Sequence, residues 1–218
     1  MTALTCSPEE LTWLREKWGR LTASAQSSAE VQRAWNFLEA QYSHSSRRYH
    51  NLSHILALLR HAEAMHAYIA DPQTVEFAIW FHDVVYDTLE RDNERRSARW
   101  ASKMMHAMRL DGALVSAVER CILSTQKHEA DWFDIPDLPL FLDLDLAILG
   151  APEDVYREYS AAVRQEYDWV LDASYRFARR RVLRGFLDRS RLFFTPAMAD
   201  RFEGQARRNM EKEFISFG

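Results

Sequence analysis

Glycine and proline are scarce in this chain, with 6 of each among 218 residues. All-β sandwiches and barrels need many tight turns of that composition, so the scarcity excludes them, together with collagen-like and linker-rich architectures. Cysteine is scarcer still. Cys6 and Cys121 are the only two, from which neither a disulfide framework nor a thiolate metal site can be built. No apolar stretch approaches the length of a membrane span, and the opening MTALTCSPEE lacks the basic and apolar regions of a signal peptide. Positive charge is not in excess: 28 Lys and Arg stand against 32 Asp and Glu, for a net charge of -4. That balance is no footprint for nucleic-acid binding. Together these absences lead us to expect a soluble, cytoplasmic protein with reduced thiols. One more absence is local. All 8 histidines lie between His44 and His128, and none follows.

Hydrophobic residues make up 47% and charged residues 28%, a globular balance. Ser7-Pro8, Asp71-Pro72 and Thr195-Pro196 each pair a capping residue with proline at the first helical position. Ser7 with Glu10 and Ser27 with Glu30 fit capping boxes. After helices that begin near Pro8 and Ser28, apolar spacing predicts further helices over about 51–70, 73–86, 93–108, 113–125, 139–149, 152–167, 172–190 and 197–214. Residues 73–86 are apolar nearly all round, which marks a central helix. No strand pattern emerges, so the expected fold class is all-α. Seven arginines between Arg176 and Arg191 read as a solvated helix face. Tryptophans and phenylalanines at helical spacing read as core.

Three places set His or Asp in apolar surroundings. His50 and His54 are four apart, which on a helix puts them on one face. From there two imidazoles can reach one metal, or one metal and one substrate. His82 and Asp83 fall within FAIWFHDVVY, where an ionised carboxylate is costly unless paired or bound to metal. Asp143 and Asp145 fall within LPLFLDLDLAIL, about 200° apart on a helix, so that one of them faces any given site. Each place has a plain structural explanation: a surface pair, mutual satisfaction, a capping aspartate. One shared metal site accounts for all three. Its donors suit a divalent Mn, Fe, Ni, Co, Zn or Mg ion.

The order His…His-Asp…Asp resembles the signature of the HD-domain superfamily of metal-dependent phosphohydrolases, which is all-helical. His50-Asn51-Leu52-Ser53-His54 resembles the HNxxH of cyclic-nucleotide phosphodiesterases, and Asp145-Leu146-Ala147 the closing Asp motif. Residues 82–88 are similar to the HDxxED segment of guanosine-tetraphosphate hydrolases, with Tyr86 where that Glu stands and Asp87 kept. The HD-GYP signature is absent. Tyr49–Ile55, Phe81–Asp87, Asp92–Ala98, Asp143–Gly150 and a segment starting at Ala206 follow the pattern YHNLxHI…FHDxVYD…DNExxSA…DLDLAILG…ARxNMxxE. That pattern is similar to small bacterial metal-dependent HD phosphohydrolases. It spans about residues 28–218, after an N-terminal helix and connector over 1–27.

The resemblance implies a single HD-type helical domain over 1–218, with its metal site between central helices. It implies His54, His82, Asp83 and Asp145 as metal ligands and His50 as proton donor to the leaving group, with one ion favoured over two. Asp87, four residues after Asp83 and one turn along the same helix, is a candidate to take a proton from the attacking water. Arg48, Lys127 and His128 are candidate phosphate contacts, as is Arg47. His61 is a candidate outer-shell residue, and Glu94 is read as part of a cap rather than as catalytic. The implied activity is hydrolysis of a nucleotide or another small phosphate ester by metal-bound hydroxide. The alternative is a catalytically weakened metal- and nucleotide-binding regulatory protein. Neither reading calls for a nucleic-acid or membrane partner.

Overall fold

The computed structural model describes residues 6–132 and 134–217. All regular structure among them is helical, as the composition predicts. The chain groups into two compact units, residues 1–141 and 142–218.

The first unit carries α1 (Pro8–Leu21), α2 (Ser28–Tyr42), α3 (Leu52–Ala64), α4 (Pro72–Phe81), α5 (Asn93–Ala107) and α6 (Gly112–Ser124). Its centre is α4, which packs against α1, α3, α5 and α6. Val75 and Phe77 to Phe81 are all 0% exposed, and the one charged residue of this helix, Glu76, is partly exposed and paired with Lys17. Trp18 meets the rings of Phe77, Trp80 and Phe81 edge-on at 5.6–6.1 Å, and Trp35 meets Trp80 at 5.9 Å. Edge-to-face pairs of this kind add to the burial of the rings themselves.

Helix starts largely follow the predicted chemistry. Ser7 closes a full capping box: its hydroxyl accepts from the Glu10 N–H at 3.2 Å, and Glu10 accepts from the Ser7 N–H at 2.7 Å. Ser27 forms only half of one, because the Glu30 carboxylate pairs with Arg33 instead. Asp71 and Asp111 cap α4 and α6 through their side chains. Asp92 precedes α5 without a side-chain capping bond. Two predicted lengths are corrected. The helix predicted over 51–70 is α3 followed by a 3-10 turn, His66–Tyr68. The helix predicted over 73–86 stops at Phe81, for reasons that belong to the site.

The boundary between the units falls within α7 (Leu138–Leu146), which continues as a 3-10 turn over Ala147–Gly150. The second unit adds α8 (Glu153–Glu166), α9 (Asp172–Leu187), α10 (Pro196–Met198) and α11 (Gly204–Ser216). The helix predicted over 197–214 is interrupted by a π turn at Ala199–Glu203. Glu203 there accepts the N–H groups of Leu192 and Phe193 at 3.0–3.2 Å. Gly150 is required by crowding: a Cβ at that position would sit 2.6 Å from the Phe202 Cβ and 2.7 Å from its carbonyl oxygen. The arginine-rich face of α9 is largely solvated, with one exception. Arg179 is buried in a two-pronged bond to Glu213, which also accepts from Tyr156 and Ser160.

Asp143 is fully buried and organises this unit. It accepts the Phe194 N–H at 2.7 Å, the Thr195 N–H at 2.8 Å and the Thr195 hydroxyl at 2.6 Å. Burial nevertheless pushes its carboxyl up to about 6. A folded value above the ordinary 3.8 stabilises the fold below about pH 4, and that contribution is lost as pH rises to about 6. The Asp143 carboxyl resonance is expected to titrate with a midpoint near 6. Asp143→Ala strands two backbone donors and should lower the unfolding free energy by about 2–4 kcal/mol in urea titrations.

Candidate metal centre

The site is built from two chain reversals in the first unit. Asn51 ends the segment before α3. Its side chain accepts the Ser53 N–H at 2.9 Å and donates to the Arg48 carbonyl at 3.1 Å. With Asn51 as the cap, His50 lies outside the helix and His54 within it. The expectation that the two share a helix face is therefore corrected. Their rings still come together, at 5.9 Å, because the capping turn folds His50 back.

The second reversal follows α4. Its last carbonyls and the backbone beyond have no helical continuation, and side chains from elsewhere bond them. Arg47 donates to the carbonyls of Asp83 at 2.6 Å and Val84 at 2.8 Å. The Ser97 hydroxyl accepts the Val85 N–H at 3.0 Å and donates back to the Val85 carbonyl at 3.3 Å. Asn93 accepts the Asp87 N–H at 3.0 Å and donates to its carbonyl at 2.8 Å. These bonds replace the ladder that a longer helix would have made. His82 becomes the C-cap residue of α4 and Asp83 sits in the turn.

His54, His82 and Asp83 then converge. His54 Nε2 lies 3.2 Å from His82 Nε2, which lies 3.2 Å from Asp83 Oδ2; the third side, from His54 Nε2 to Asp83 Oδ2, is 3.9 Å. His82 and His54 are buried, at 1% and 4% exposure, while the Asp83 side chain keeps 19%. His82 Nδ1 lies 2.9 Å from the Ile79 carbonyl, which can only accept, so the ring hydrogen sits on Nδ1. In the neutral ring, Nε2 then presents its lone pair toward a carboxylate oxygen and a second imidazole nitrogen. A cation between these three atoms would be bound by all of them. A triangle with these sides has a circumscribed radius of about 2.0 Å, the ordinary bond length from nitrogen and oxygen donors to a small divalent ion. The three residues fit a metal ion. They form a group of His and Asp donors able to hold one among the described residues.

Around the triad, His50 stacks on Tyr86 with centroids 4.0 Å apart and planes 25° apart. Asp87 does not continue a helix from Asp83. It lies in the loop beyond, and its carboxylate accepts the Leu89 N–H at 3.0 Å, a turn-forming bond. Arg48 is exposed and lines a cavity of about 260 Å³ beside the α3 N-terminus. Lys127 is exposed in the turn after α6, and His128 ends that turn in the left-handed region, at φ 50°. Arg47 is no surface cation: it is 6% exposed and its guanidinium bonds backbone. His61 lies in the last turn of α3. Asp145 belongs to the second unit, half-buried on α7.

The structure also draws in a residue that the sequence leaves aside. Glu94, in the first turn of α5, has its carboxyl raised, first by burial and then by the negative charge of Asp83, with His128 opposing. Glu94, Asp83 and His128 thus share one electrostatic neighbourhood. Its only sequence signal is a place in DNExxSA, where it reads as a cap.

No family model, curated protein or solved structure matches the chain closely enough to show kinship. The geometry predicts metal binding directly. Titration with Co2+ or Zn2+ should show one tight site per chain. His82→Ala should weaken it by about 100-fold or more, since even outer-shell changes cost 10- to 100-fold. His106→Ala, at an exposed histidine on α5, should leave it unchanged.

Proposed function

We propose that the protein is a metal-dependent phosphohydrolase of the HD type, acting on a nucleotide or another small phosphate ester. The observation that carries this reading is the convergence of His54 Nε2, His82 Nε2 and Asp83 Oδ2 on one point at bonding distance from a small divalent ion. A divalent ion held there would lower the pKa of water and neutralise charge on phosphoryl oxygens. The remaining steps belong to the chain. The sequence order contributes Asp145 as a fourth ligand. His50, whose ring stacks on Tyr86, would give a proton to the leaving oxygen. Arg48, Lys127 and His128 supply cationic and donor groups for the phosphate.

The stacking of Tyr86 on His50 also favours a second reading. An aromatic ring occupies the place of an acidic residue in the related motif, as in a module that binds metal and nucleotide without turning it over.

One assay separates the two. The protein with Mn2+, Co2+, Ni2+ or Mg2+ is offered mononucleotides, cyclic nucleotides and p-nitrophenyl esters, and phosphate release is followed. Turnover that is abolished in Asp83→Asn supports the hydrolase. His50→Gln should lower kcat by about 10²-fold or more with metal affinity intact, and Asp145→Asn should weaken metal binding. Tight nucleotide binding without release of phosphate under any of these metals would support the regulatory reading instead.

A further inference from the structure

The carbonyls of Asp83 and Val84 lie in the turn just beyond α4, and both are taken by Arg47. The same guanidinium donates to the His50 carbonyl at 3.1 Å. One buried side chain thus joins the reversal before α3 to the reversal after α4. Its charge lies over the Tyr42 ring at 5.0 Å and the Tyr86 ring at 5.8 Å, and Tyr86 in turn stacks on His50. A guanidinium is suited to this because its nitrogens are fixed in one plane and point to several acceptors at once.

We propose that Arg47 is a positioning residue for the metal centre. It holds the turn that follows α4 by its backbone. By bonding the Asp83 and Val84 carbonyls it keeps Asp83 turned toward the two histidine nitrogens, and through the His50 carbonyl it fixes the turn before α3, the helix that carries His54. This inference rests on the metal-binding reading of the site. It gives Arg47 no contact with metal or substrate; its effect passes through the backbone of Asp83 and His50. Lysine is expected to replace it poorly: Nη1 bonds the His50 and Asp83 carbonyls, but the Val84 carbonyl is bonded by Nη2, and an ammonium has no second nitrogen to reach it.

The test compares Co2+ binding by the wild-type protein, Arg47→Lys, Arg47→Gln and Leu14→Ala. Leu14 is a fully buried residue of α1, so its truncation reports general loss of packing. Dissociation constants and the visible Co2+ spectrum are measured well below the melting temperature of each protein. The expected result is a fall in affinity of about 10- to 100-fold in both Arg47 variants, the range for residues that orient ligands, with a changed Co2+ spectrum. Leu14→Ala should melt earlier yet bind within about twofold of wild type, because it creates a cavity without altering the ligands. Wild-type affinity in Arg47→Lys and Arg47→Gln would overturn the proposal. So would an equal loss in Leu14→Ala, or the absence of a folded circular-dichroism spectrum from both Arg47 variants, which would make Arg47 simple scaffold. A wild-type protein that binds no Co2+ would instead defeat the metal reading, and this inference with it.

Discussion

Buried backbone must find hydrogen-bond partners, and this constraint shapes the first unit more than any other. The second half of α4, Phe77 to Phe81, is wholly buried, so the chain leaving it stays largely inside the protein for several residues. Over residues 83–87 it makes neither helix nor sheet, and its polar groups are bonded by Arg47, Ser97 and Asn93. An unsatisfied buried carbonyl or amide costs about 1–3 kcal/mol, so these three side chains together decide whether the reversal can exist. The reversal in turn places Asp83. The chemistry of the site follows from an answer to a backbone problem.

The metal triad shows the same logic at the level of side chains. The Ile79 carbonyl belongs to α4 itself, three residues before His82, and by taking the Nδ1 hydrogen it assigns the tautomer of the ring. The lone pair on Nε2 is then committed to the side where His54 and Asp83 lie. That side of the ring is where a metal ion would be held, since His54 Nε2 and Asp83 Oδ2 each lie 3.2 Å from His82 Nε2. Asp83 retains some exposure, which leaves the carboxylate as the edge of the triad nearest solvent.

Much of this was legible in the sequence, and the misreadings share one cause. Helix class, most helix starts and the apolar character of α4 follow from local patterns; His54, His82 and Asp83 are singled out together by the resemblance of their motifs, and the structure brings them together. What local patterns misplace are the points where distant side chains intervene. Val84, Val85 and Tyr86 extend the apolar run, so periodicity carries the helix through them; in the structure Arg47, Ser97 and Asn93 bond the backbone of a turn there instead. The spacing of His50 and His54 fits a helix, but Asn51 spends its side chain on the Ser53 N–H and starts the helix after His50. Ser27 and Glu30 spell a capping box, yet the carboxylate goes to Arg33. Glu94 carries no local sign of its neighbourhood with Asp83 and His128, because that depends on how α5 is packed.

The motif segments prove to hold more scaffold than chemistry. In DNExxSA, Asn93 and Ser97 secure backbone next to the triad. In DLDLAILG, Asp143 organises the segment before α10, and Gly150 makes room for Phe202. In the segment starting at Ala206, Asn209 donates to the carbonyls of Leu149 and Ala151, both at 2.8 Å, closing the end of the preceding motif within the second unit. Residues that bond buried backbone tolerate little substitution whatever the reaction, because the acceptor they serve is fixed. Beside the triad itself, the His50 ring lies on Tyr86 and Glu94 shares an electrostatic neighbourhood with Asp83. A flat ring stacked on His50 can orient that imidazole but cannot itself accept a proton as a carboxylate would.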